Sequence, residues 1–106
     1  MDQLFLISYQ GTITTLRFTS GAPLKDALSE VASTRACEPN PSWISLDASR
    51  RTLYCTEGGM VTGTGALKAF RVETDGTLTE TSSVPTPRGA AYHIPYGNDN
   101  AIAVAY

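Results

Sequence analysis

The chain has 106 residues, room for one small domain at most. Apolar residues make up 42% of it and charged residues 17%, which excludes a disordered or collagen-like polymer. The formal net charge of -2 leaves no basic footprint for nucleic acid and no polybasic patch for a membrane surface.

In chain order, Met1-Asp2-Gln3-Leu4 has neither the basic start nor the cleavage site of a secretory leader, so a cytoplasmic location is expected. Leu4–Tyr9 is apolar apart from Ser8, the pattern of a strand buried on both faces. After the turn-like Gln10-Gly11, Ile13–Thr19 alternates, with Leu16 and Phe18 read as inward and Arg17 and Thr19 as outward. Leu24, Ala27, Leu28 and Val31 then fall at helix spacing, and local propensity alone favours a helix there. Trp43–Asp47 is a strand, Ala48-Ser49-Arg50-Arg51 a hairpin turn, and Leu53–Glu57 the return strand. Leu67–Glu73 alternates again and ends at Thr74-Asp75-Gly76, a strong turn signal. Thr77–Val84 is polar and rich in Thr and Ser, as suits an outer edge, and Pro85 and Pro87 are expected to end it. Tyr92–Tyr96 and Ala101–Tyr106 flank the dense turn Gly97-Asn98-Asp99-Asn100. No apolar run approaches the roughly 20 residues of a membrane span.

The chain repeats. Gly11–Phe18 lines up with Gly65–Val72 at an offset of 54, with Gly and Arg identical and three apolar positions matched. Ala27–Ser33 lines up with Thr77–Ser83 at an offset of 50, as does Trp43-Ile44 with His93-Ile94. Leu53–Cys55 meets Ile102–Val104 at 49. A unit of roughly 50 residues, present about twice, is the period of β-propeller blades. Because the partner of Ala27–Ser33 is strand-like, the repeat decides for a strand there. The fold class is therefore all-β: antiparallel four-stranded blades, about two of them. Blade strands are expected over 4–36, a full blade over 43–84 and the start of the next over 92–106. Propellers close with four to eight blades, so these cannot close a ring alone.

The wording of the repeat also carries a resemblance. Pro39-Asn40-Pro41-Ser42-Trp43-Ile44-Ser45-Leu46-Asp47 is followed by Thr52–Gly58, then Gly65–Val72 and Thr74-Asp75-Gly76-Thr77-Leu78. This order resembles the seven-bladed lactonase propellers, which include propeller-type 6-phosphogluconolactonases and fungal carboxy-cis,cis-muconate cyclases. Tyr96-Gly97-Asn98 and Ala101–Val104 look like the fungal branch. The resemblance spans nearly the whole chain but only about the first third of such a protein. It implies an N-terminal part of a ring whose catalytic groups sit largely in later blades. Many fungal members continue the last strand with Ala-His-Tyr and a glycine, whereas here Ala105 is followed directly by Tyr106.

Blade topology brings alternate loops to one face, here Tyr9–Thr12, Cys37–Ser42, Gly58–Gly65 and Pro85–Ala91. Ligand sites belong at that mouth. Glu57, beside Gly58-Gly59, is a candidate general base if burial raises its pKa, against the plainer reading of a solvated loop carboxylate. His93, the one imidazole, starts an inner strand and is a candidate to relay a proton or bind a substrate carboxylate; otherwise it is a hydrogen-bonded strand residue. Arg88 is a candidate for holding a substrate carboxylate or phosphate, against a solvent-facing arginine. Trp43 is expected to pack between blades. Arg17 and Arg71 recur at equivalent positions, which favours a structural role.

Cys37 and Cys55 are too few for a disulfide scaffold or a four-ligand zinc site, and a bond between them stays open. The acidic residues are scattered, so neither a metal nor a cofactor is expected. Two functions follow. One is a lactonase-like enzyme, hydrolysing a sugar lactone or forming a lactone from a dicarboxylate. The other is a non-catalytic propeller part or binding module. The expected partners are a small lactone or carboxylate, with no nucleic acid and no membrane, and other copies of the chain through unpaired blade edges. An isolated chain with such edges is expected to be unstable or to self-associate.

Overall fold

A computed structural model of the chain describes residues 2–8, 11–96 and 101–105. The expected turn at Gly97–Asn100, and Tyr9, Gln10 and Tyr106, lie outside the described residues. Among the described residues nine strands follow one another: β1 (Asp2–Ile7), β2 (Ile13–Phe18), β3 (Leu28–Thr34), β4 (Pro41–Asp47), β5 (Thr52–Glu57), β6 (Gly65–Val72), β7 (Leu78–Thr86), β8 (Tyr92–Tyr96) and β9 (Ala101–Ala105). They form three antiparallel sheets, β1-β2-β3, β4-β5-β6-β7 and β8-β9. Within each sheet every strand pairs with its neighbour in sequence, the meander expected of propeller blades, and the described residues do not close a ring.

Turn chemistry sets the hairpins. At the β4–β5 corner the Asp47 carboxylate accepts from the Arg50 amide and from the Ser49 hydroxyl. Both contacts, the Ser49 hydroxyl first, hold its pKa below the usual carboxylate range. Arg51 then turns the chain at φ 50°, and its guanidinium donates to the carbonyls of Val72 and Glu73, 3.0 Å each. At the β6–β7 corner the Asp75 carboxylate accepts from the Thr77 amide and hydroxyl, and Gly76 takes φ 92°.

Gly76 also binds two sheets together. The Thr15 hydroxyl, 1% exposed, donates to its carbonyl at 2.8 Å. A Cβ on Gly76 would touch Thr15, Val31 and Gln3, so these three residues of the first sheet face the second. Thr15→Val removes the donor and leaves the Gly76 carbonyl short of a partner. The urea midpoint should fall by the equivalent of about 1–3 kcal/mol.

The core lies between the first two sheets: Ile13, Cys37, Leu53, Cys55, Phe70 and Val72 are buried, with Phe5, Ile7, Ile44 and Leu78 packed against them. Cys37 and Cys55 form a disulfide, both residues fully buried. The bond left open by the sequence thus ties the β3–β4 loop to the middle of β5.

Three local readings change. Leu16 and Phe18 point away from the second sheet, and Ile13 and Thr15 are the buried residues of β2. Strand alternation gives two faces without saying which one a neighbouring sheet covers. Pro85 lies inside β7, opposite Ala66; β7 is an outer strand, where a residue without an N–H costs no ladder bond on the open side. The segment with helical spacing divides: Leu24–Asp26 is one 3-10 turn and β3 begins at Leu28. No helix among the described residues is long and apolar enough to cross a membrane.

Candidate functional site

The loops expected to share one face do converge. A Cβ on Gly11 would stand 2.9 Å from Glu38 Cβ, so the β1–β2 loop meets the β3–β4 loop. The Gly58 amide donates to the Asn40 carbonyl at 2.9 Å and the Gly89 amide to the Gly58 carbonyl at 2.7 Å. The Ser42 hydroxyl donates to the Ala90 carbonyl at 2.8 Å, with the Thr56 carbonyl at 3.1 Å. Backbone bonds thus stitch the loops before β4, after β5 and before β8 into one rim. Inside it lies a cavity of about 400 Å³ lined by Ile7, Ser8, Asn40, Pro41, Ser42 and Ala91. That volume suits a small metabolite.

The three sequence candidates are placed differently around this rim. Glu57 ends β5 and is 4% exposed, so it is not a solvated loop carboxylate. One of its oxygens accepts from the Gly59 amide at 2.8 Å. Gly59 permits this hook: it has φ 73°, and a Cβ there would lie 2.5 Å from the Gly65 amide nitrogen. Arg88 is exposed on the loop before β8, on the same rim.

His93 is 1% exposed. Its Nε2 shares a hydrogen bond of 2.7 Å with the Ser45 hydroxyl, and its Nδ1 another with the Thr56 hydroxyl. A neutral imidazole donates from one nitrogen and accepts at the other, so both hydroxyls can be satisfied. Burial lowers its pKa. His93 therefore joins β8 to β4 and β5, beneath the rim rather than on it. Trp43 packs its ring against Tyr92 of the third sheet, edge to face at 4.6 Å, while remaining 41% exposed.

Asn40 and Ser42 had no chemical motif to mark them. Their place at the mouth follows from the loop they occupy. The Ser42 proton is committed to backbone carbonyls, so that hydroxyl is an anchor of the rim and not a nucleophile. No group of three or more His, Cys, Asp or Glu among the described residues could hold a metal ion.

The comparison with protein families decides what this architecture belongs to. A family model described as "Lactonase, 7-bladed beta-propeller" matches residues 5–106. The chain belongs to this lactonase propeller family. No match was found among curated proteins or solved structures. Membership agrees with the antiparallel sheets, which are consistent with partial propeller blades.

Proposed function

We propose that this lactonase-family chain forms the N-terminal part of an enzyme that opens a sugar lactone or forms a lactone from a dicarboxylate. The observation that carries the reading is the rim itself: the loops before β4, after β5 and before β8 joined by backbone bonds, with the β1–β2 loop against them, beside a cavity of about 400 Å³. Lactone opening needs a base to take a proton from water as it attacks the carbonyl, and donors for the oxyanion that forms. Lactone formation from a dicarboxylate needs an acid/base group and a cation to hold the second carboxylate. In this proposal Arg88 holds the carboxylate or phosphate of the substrate through its exposed guanidinium, and Glu57 is the base. His93 acts as a positioning residue behind the rim. No cofactor or metal takes part.

Hydrolysis of 6-phosphogluconolactone by the purified chain tests the reading. Glu57→Gln keeps an oxygen for the Gly59 amide and removes the base, so it should lower turnover about 10²–10⁴-fold with an unchanged melting temperature. Arg88→Ala should chiefly raise KM. Absence of turnover above the spontaneous rate favours a non-catalytic propeller part. A specific observation supports that second reading, since Glu57 and His93 are both buried and already hydrogen-bonded. Cytosolic thiols are kept reduced, so the buried disulfide favours an oxidising compartment over the cytoplasm expected from the N-terminal residues.

A further inference from the structure

Opening a lactone needs a hydrogen-bond donor at the carbonyl oxygen, where negative charge develops. Glu57 as base and Arg88 as anion holder leave that place unfilled. Three polar side chains line the cavity of about 400 Å³, those of Ser8, Asn40 and Ser42, and Ile7, Pro41 and Ala91 complete its wall. The Ser8 hydroxyl is bonded to that of Thr12 at 2.7 Å and accepts from the Thr12 amide at 3.4 Å. The Ser42 hydroxyl is committed to the carbonyls of Ala90 and Thr56. Pro41 has no N–H to offer.

Asn40 differs from both serines. Among the described residues none is hydrogen-bonded to its side-chain amide, and the residue is half-buried, so the amide is not sealed away. Its Oδ1 lies against Gly58, where a Cβ would stand 2.9 Å from it. The other end of the amide, Nδ2, keeps two N–H donors. Of the side chains on the cavity wall, Asn40 is thus the one with donors left to give a ligand.

The backbone beneath this amide is fixed. Pro39 and Pro41 flank Asn40, and a residue before proline is held extended. The Asn40 carbonyl accepts from the Gly58 amide at 2.9 Å. Pro41 is the register partner of Glu57 across β4 and β5, so the donor sits one residue from the pair that carries the base. Gly58 belongs to the arrangement. A Cβ there would also stand 3.1 Å from the Ala90 carbonyl, so the loops can close on this strand only at a glycine. A donor set in place beforehand costs no reorganisation when charge develops.

We propose that Asn40 is the donor that holds the carbonyl oxygen of a bound lactone, and the oxyanion formed on it, through its Nδ2–H. This assignment rests on the lactone-opening form of the function proposed above. As water attacks the carbonyl carbon, Glu57 takes its proton and the C=O electron pair moves onto the oxygen, where Asn40 holds it. When the carbonyl re-forms, the bond to the ring oxygen breaks. The ring oxygen leaves as a hydroxyl with the proton from Glu57, and the acid product is released. Asn40 neither gains nor loses a proton in the cycle.

Infrared difference spectra of δ-valerolactam, a lactone isostere that resists hydrolysis, test the donor without turnover. A carbon-13 label on its carbonyl separates its band from those of the protein. The bound band should lie at lower frequency in the native chain and in Glu57→Gln than in Asn40→Leu or Asn40→Asp, which remove the N–H. With 6-phosphogluconolactone, each Asn40 variant should lower kcat about 10²–10³-fold with little change in KM. Melting temperatures should hold, because the amide bonds no described residue. Equal band positions in the native chain and both Asn40 variants, or no bound band in the native chain, overturn the assignment. So does an unchanged kcat in both variants. A band difference without turnover in the native chain supports Asn40 as the carbonyl donor and overturns the enzyme reading alone; turnover without a band difference does the reverse.

Discussion

Replacing both Cys37 and Cys55 with alanine should destabilise the chain by about 2–5 kcal/mol, the usual cost of removing a native disulfide from a small domain. The bond closes a loop with a sequence separation of 18, and for a loop of about 15 residues the chain-entropy term alone is near 3 kcal/mol. Packing adds to this. Both cysteines are fully buried in the cluster that holds Ile13, Leu53, Phe70 and Val72, so two alanines leave an unfilled space between the first two sheets. Cys37 sits in the same loop as Asn40 and Pro41. Loss of the bond should therefore loosen the rim before it loosens the strands. Urea melts with and without reductant, read by tryptophan fluorescence, provide the measurement. Because both sulfurs are inaccessible in the folded chain, reductant should act slowly at low urea and quickly near the midpoint. Equal midpoints with and without reductant would show that the bond contributes nothing.

The repeat was the informative signal in this sequence. It overrode the helical spacing of Leu24, Ala27, Leu28 and Val31, and β3 runs from Leu28 to Thr34. It also paired the loops correctly, because alternate loops of a meander must emerge at the same end. Which face of a strand lies inside was not legible. Leu16 and Phe18 are the apolar pair that alternates with Arg17 and Thr19, yet Ile13 and Thr15 are the buried residues of β2. The choice depends on which neighbouring sheet is present, and composition does not report neighbours. The disulfide was equally hidden, since a loop cysteine and a strand cysteine at a separation of 18 can be brought together only by a particular register. Arg88 is exposed on the rim, where its loop placed it. Glu57 and His93 are buried through partners that no motif announces: the Gly59 amide, the Ser45 hydroxyl and the Thr56 hydroxyl.

Stability should fall as pH drops below about 6.5, and His93 should be the group responsible. Burial lowers its pKa. The folded chain thus binds a proton less readily than the unfolded chain. Between the folded and unfolded pKa values the unfolded state is the more protonated, so stability rises with pH across that window. The contribution is complete above the unfolded value and is lost as pH falls through the lower, folded one. Hydrogen bonding explains why burial dominates. When the ring is protonated both nitrogens donate, and the hydroxyls of Ser45 and Thr56 can rotate to accept. What remains is a desolvated charge held between sheets, with the Tyr54 ring edge-on at 6.4 Å. His93→Ala should lower stability at neutral pH by about 2–5 kcal/mol, because a buried hydroxyl loses its partner and a cavity opens between β8 and β5. The same variant should flatten the acid limb of the pH profile, since the group that titrates is gone. Thermal melts of both proteins from neutral pH into the acid range separate the two effects. A limb that persists in the variant assigns the acid sensitivity to the carboxylates, and His93 would then be only a packing residue.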